Sequence, residues 1–72
     1  MGAMQLDEVL REVTGKKKVL IETSRGTMKE FDVVIKNGVA CAKVGSSLVV
    51  IEGQRLPSGQ VVLYFGKLGE FN

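Results

Sequence analysis

Few residues of this chain combine a reactive type with a spacing that chemistry needs. Glu30 and Asp32 stand two apart in a β-patterned run, so both carboxylates fall on one strand face. Paired carboxylates do acid–base work when burial holds one of them protonated. Acids are rarely fully buried, so the expected reading is a solvated strand face. The chain has no histidine to serve as a base. Ser46-Ser47 follows Gly45 in a turn without a nucleophile-elbow pattern. Cys41 lies between Ala40 and Ala42, the setting of a small core residue rather than an activated thiol. One cysteine without histidine leaves no ligand set for a structural zinc ion, and no phosphate-cradling glycine motif occurs. The sequence therefore predicts no enzyme, no cofactor and no metal.

The constellation that remains is cationic. Lys16-Lys17-Lys18 is the densest positive stretch, and Arg25, Lys29, Lys36 and Arg55 follow it at strand starts and turns. A phosphate backbone is held by several cations on one surface, because each neutralised phosphate releases counterions. Residues 15–72 carry nine Lys or Arg against five Asp or Glu, whereas residues 1–14 carry Asp7, Glu8 and Glu12 against Arg11. The basic excess thus belongs to the part after the first segment, and it suits a polyanion. Base stacking has little to draw on beyond Phe31, Tyr64, Phe65 and Phe71, and at least two of these read as core.

These cations must be positioned by short elements. Leu6, Val9, Leu10 and Val13 recur at helical spacing within a helix spanning residues 5–14, with Asp7 and Glu8 in its first turn and Gly15 as its stop. About ten residues make a helix that is marginal alone, so the stripe must dock, as a cap on a sheet or a clip between subunits. Strands are expected within residues 18–71. Val19–Ser24 alternates, with Val19 and Ile21 on one face. Thr27–Lys36 turns Phe31, Val33 and Ile35 inward. Asn37-Gly38 then predicts a type I′ hairpin into Val39–Val44, whose Ala40, Cys41 and Ala42 imply a close neighbour. Leu48–Ile51 is apolar without alternation, as in a strand covered on both faces. Gly53–Gly59 reads as a loop, Gln60–Phe65 as the last strong strand, and Leu68 and Phe71 as a short further one. Seven glycines, from Gly15 to Gly66, punctuate these segments.

The class is therefore all-β: a small antiparallel barrel or sandwich of five to six strands with one short N-terminal helix. Met1-Gly2-Ala3 ahead of Met4 reads as a cloning scar, and residues 4–72 as one domain. A chain of 72 residues buries only about 60% of its unfolded surface. With no disulfide or metal to add, assembly into a homo-oligomer is the expected source of further stability. Either the sheet closes on itself or its edges pair with neighbouring subunits. No apolar run is long enough to span a membrane, and the unpaired thiol suits the cytoplasm.

Two segments resemble the trp RNA-binding attenuation protein family in permuted order. KKKVLIETSRGTMK, residues 16–29, is similar to that family's C-terminal strand and turn, and GQRLPSGQVVLYF, residues 53–65, to its middle segment. FDVVIKNGV, residues 31–39, is similar to the family's first strand and turn. By that resemblance Lys16 and Arg55 fall at RNA-contacting positions. The family's tryptophan-binding loops correspond to KVGSS and GKLGEF here, so tryptophan is not carried over. IEGQRL, residues 51–56, resembles the second motif of the Sm/LSm/Hfq family, although Glu52 stands where a basic residue is usual. Both families form rings by pairing edge strands, and both bind RNA. Charge and resemblance together predict a non-enzymatic, oligomeric protein that binds RNA or single-stranded nucleic acid on a rim of Lys16, Lys17, Lys18, Arg25 and Arg55. The alternative is a structural or protein-interaction module, assembling through edge strands and offering Leu6, Val9, Leu10 and Val13 to a partner.

Overall fold

The computed structural model describes residues 2–70 and places in chain order β1 (Gly2–Ala3), α1 (Leu6–Val13), β2 (Lys18–Glu22), β3 (Met28–Lys36), β4 (Val39–Val44), β5 (Ser47–Arg55) and β6 (Val61–Glu70). The sheet order is β1-β5-β4-β3-β2-β6, with β6 returning to β5, so β2 to β6 form a closed ring. Successive strands pair antiparallel. The closing contact, β2 with β6, is parallel, as it must be when an odd number of meandering strands closes. The sheet thus closes within one chain. The radius of gyration is 11.2 Å, matching the roughly 11 Å expected of one compact domain of this length.

Helix α1 begins at Gln5, whose backbone N–H donates to the Glu8 carboxylate at 3.1 Å. It ends at Thr14, whose N–H donates to Leu10 O at 2.9 Å, and Gly15 follows in the left-handed region at φ 84°. Eight residues would not hold a helix in water. Docking holds this one: Val9 and Val13 are fully buried in the barrel core, and Leu10 packs against it. Each buried valine contributes about 1.5–3 kcal/mol relative to exposure. The helix packs over β4 and β5. Ala40 and Ala42 lie in the same cluster, so the small side chains of β4 admit the helix. Leu6 is the member of the stripe that stays exposed, at 43%.

Strand β5 meets the expectation of cover on both faces, with Val50 and Ile51 consecutive and both buried. It also runs further than expected. Gly53–Arg55, read from sequence as loop, is strand paired with β6 on one edge and β1 on the other. Gly53 serves close approach: a Cβ there would lie 3.0 Å from Met4 Sδ and 3.3 Å from both Leu63 and Val9. Gly66 likewise sits inside β6, where a Cβ would meet the Glu52 carboxylate at 2.7 Å. Leu68 therefore belongs to a continuous β6, not to a separate strand, and Phe71 lies outside the described residues.

Strand β3 departs from expectation at Ile35, which is 47% exposed. The register explains it. Strand β2 begins at Lys18, opposite Asp32, so β3 beyond that point has lost β2 as a neighbour. Phe31 and Val33 do pack on the core. Asn37 and Gly38 adopt φ 51° and 77°, the left-handed pair that a type I′ turn requires.

Candidate nucleic-acid interface

The meander sorts the expected cationic residues between the two ends of the ring. The α1–β2 connection, the β3–β4 turn and the β5–β6 loop share one end; the β2–β3 and β4–β5 turns share the other. Lys16, Lys17 and Lys18 emerge at the first end, all exposed, where the chain leaves the helix. The Lys16 N–H donates to Val13 O at 3.1 Å and the Lys17 carbonyl accepts from Val33 N–H at 2.9 Å, so the backbone of this stretch is fixed at both sides. Arg55 is exposed at the end of β5. It pairs with Val61, which by the Glu22–Tyr64 register lies level with Val19. Arg55 therefore shares the end with the lysines, two strands away.

Arg25 does not. It sits in the β2–β3 turn, beyond the far end of β2, about 13 Å of strand from Lys18. That turn is closed by Thr23 N–H to Thr27 O at 2.8 Å and a 2.8 Å contact between the two threonine hydroxyls. The five expected residues thus form a group of four and a separate one.

Among the described residues, none of Lys16, Lys17, Lys18, Arg25 and Arg55 forms an ion pair, whereas Arg11 and Asp7 pair at 3.1 Å on the helix. Lys18 does face a carboxylate across the sheet: Asp32 is its register partner, and Lys43 is the partner of Asp32 on the other side. That row offsets part of the Lys18 charge, and Lys16 shares the lining of a groove with Glu12 and Glu30.

The paired carboxylates are both exposed on β3. Glu30 lines a groove between β2 and β6, and Tyr64 lines a different one beside Glu22 and Thr23. Asp32 lines neither of these. Two of the aromatic rings are partly buried and pack on the core: Phe31 and Phe65 meet edge to face with centroids 5.1 Å apart, and the Lys29 ammonium lies 5.8 Å from the Phe31 centroid. Cys41 is fully buried beside Val50, its register partner, and burial raises its thiol pKa above the ordinary value while the positive Lys36 lowers it.

The groove between β2 and β6 was not foreseen. It measures about 350 Å³ and is lined by Lys16, Lys18, Leu20, Met28, Glu30 and Val61 among others. The signal for it lies in the alternation of β2, which turns Leu20 to the polar face. Leu20 is 55% and Met28 50% exposed. Comparison with protein families, with curated proteins and with solved structures finds no match for this chain.

Proposed function

We propose that the chain is a non-enzymatic, oligomeric protein that binds RNA or single-stranded nucleic acid on a basic rim. The observation that carries this reading is the run Lys16-Lys17-Lys18, exposed on a fixed backbone and without ion pairs among the described residues. Arg55 extends it at the same end of the ring, and Arg25 supplies a separate contact for a strand that runs along β2. With Phe31 and Phe65 packed on the core, binding draws on phosphate charge and reads little sequence. Resemblance of residues 16–29 and 51–56 to two RNA-binding families supports the reading by analogy. The free thiol of Cys41 suits a reducing cytoplasm.

The second reading, a structural or protein-interaction module, is favoured by the exposed apolar pair Leu20 and Met28. Charge reversal of all three lysines to glutamate separates the two. Loss of binding to a fluorescent single-stranded RNA pool, with the melting transition unchanged, supports the nucleic-acid reading. Unchanged binding rejects the rim.

A further inference from the structure

One register pair, Glu22 with Tyr64, joins β2 to β6 among the described residues, and the same seam holds the groove of about 350 Å³. Its floor is Val19 and Leu63, both buried, and its walls carry the exposed Leu20 and Met28. The charges along it are sorted. Lys16 and Lys18 stand at the end where the chain leaves the helix, with Glu12 of the last helical turn. Glu30 stands further along: it is the register partner of Leu20, two residues and about 7 Å of strand past Lys18. Lys16, Lys18 and Glu30 are exposed, and none of them forms an ion pair among the described residues. The groove thus offers a cationic end, apolar walls and, further in, a carboxylate with its acceptor oxygens open.

We propose that this groove receives one nucleobase of the bound strand, guanine in preference to the others, with the attached phosphate at Lys16 and Lys18. The proposal rests on the nucleic-acid reading above and adds to it one point of sequence readout per chain. The match is one of charge and shape. A simple anion would leave Glu30 unanswered, and a simple cation would meet the lysines. A nucleotide carries anionic oxygens at one end and, across a flat apolar ring, hydrogen-bond donors at the other. The ring faces lie against Leu20, Met28 and Val61, which supply apolar contact that Phe31 and Phe65, packed on the core, do not. A volume of about 350 Å³ is near the lower bound of small-ligand sites, room for one nucleotide rather than a run of them. Glu30 decides between bases, because a carboxylate accepts two parallel hydrogen bonds. Guanine presents two adjacent donors, N1–H and N2–H. Cytosine and adenine present one amino group next to a ring nitrogen that only accepts. Uracil presents a single N–H between two carbonyl oxygens, which a carboxylate repels. Unpaired bases of a single strand are open to this readout of their edges.

The test is a base exchange read by fluorescence anisotropy. A short labelled oligouridylate is compared with versions whose central base is guanine, adenine or cytosine. The central guanine should tighten binding to the native chain about tenfold over uracil, with cytosine and adenine between. Glu30→Gln should remove that difference. The ratio between oligonucleotides is the quantity to read, because loss of a negative charge raises affinity for every polyanion alike. Glu12→Gln removes the same charge at the cationic end and should leave the ratio as in the native chain. Glu30 is exposed, so thermal melts of its variant should show a native fold. A native chain that binds guanine no more tightly than the other bases overturns the base site while leaving the phosphate rim intact. So does a preference that survives Glu30→Gln, or one lost equally in Glu12→Gln. A native chain that binds none of the oligonucleotides overturns the rim and the base site together.

Discussion

The two sides of this barrel use similar apolar residues and leave them in opposite conditions. On the β4–β5 side, Ala40 and Ala42 face the helix while Cys41 and Val50, on the other face, are buried as well. On the β2–β6 side, one register pair closes the ring, and Leu20 and Met28 stand exposed beside a groove. The difference comes from side-chain size and from what each strand can pair with. Small residues on β4 let α1 approach until Val9 and Val13 are enclosed. Strand β2 is paired with β3 along its length, but on its edge toward β6 the register pair among the described residues is Glu22 with Tyr64, at its upper end. One side encloses its apolar side chains, and the other leaves Leu20 and Met28 exposed.

The largest effect is expected on the closed side. Ile51 is 1% exposed, and Ile51→Ala should cost about 2–5 kcal/mol, a large share of the stability of a domain this small, read as a fall in the urea midpoint. Gly53→Val should cost about 1–3 kcal/mol by crowding Met4, Val9 and Leu63, and loss of helical circular dichroism should accompany it. Cys41 gives a pH signature. Its folded pKa is raised, so the folded state keeps the thiol proton after the unfolded chain has lost it. The stabilising contribution is full at neutral pH and declines as pH rises above the ordinary value of 9.0. Melting temperature should fall through that range, and Cys41→Ala should flatten the decline. The smallest effect is expected at the seam. Leu20→Ser should change the stability of a monomer by no more than about 0.5 kcal/mol, and a larger loss that grows with protein concentration would place Leu20 in an interface.

Much of the closed side was legible in the sequence because its signals are local. Helical spacing located α1, Asn37-Gly38 located the hairpin, and the unbroken run Leu48–Ile51 announced a strand covered on both faces. Glycine misled where one residue type serves two purposes. Gly26, Gly38 and Gly59 adopt positive φ in turns, but Gly53 and Gly66 lie within strands, where the lack of a side chain admits a neighbour. No local pattern separates those uses, since the difference depends on what arrives from elsewhere in the chain. Ile35 misleads for a related reason: alternation gives its face, whereas exposure depends on where β2 begins. The division of the cations between two ends is also a matter of topology. Lys18 and Arg25 are seven positions apart in sequence, yet a whole strand separates them.

The central claim, that the open side presents phosphate-binding charge at Lys16–Lys18, is tested most directly by titrating salt against binding of a labelled single-stranded RNA pool. If three lysines each neutralise one phosphate, log K should fall linearly with log salt at a slope of about −2. No binding at about 50 mM salt, or binding indifferent to salt, would contradict it.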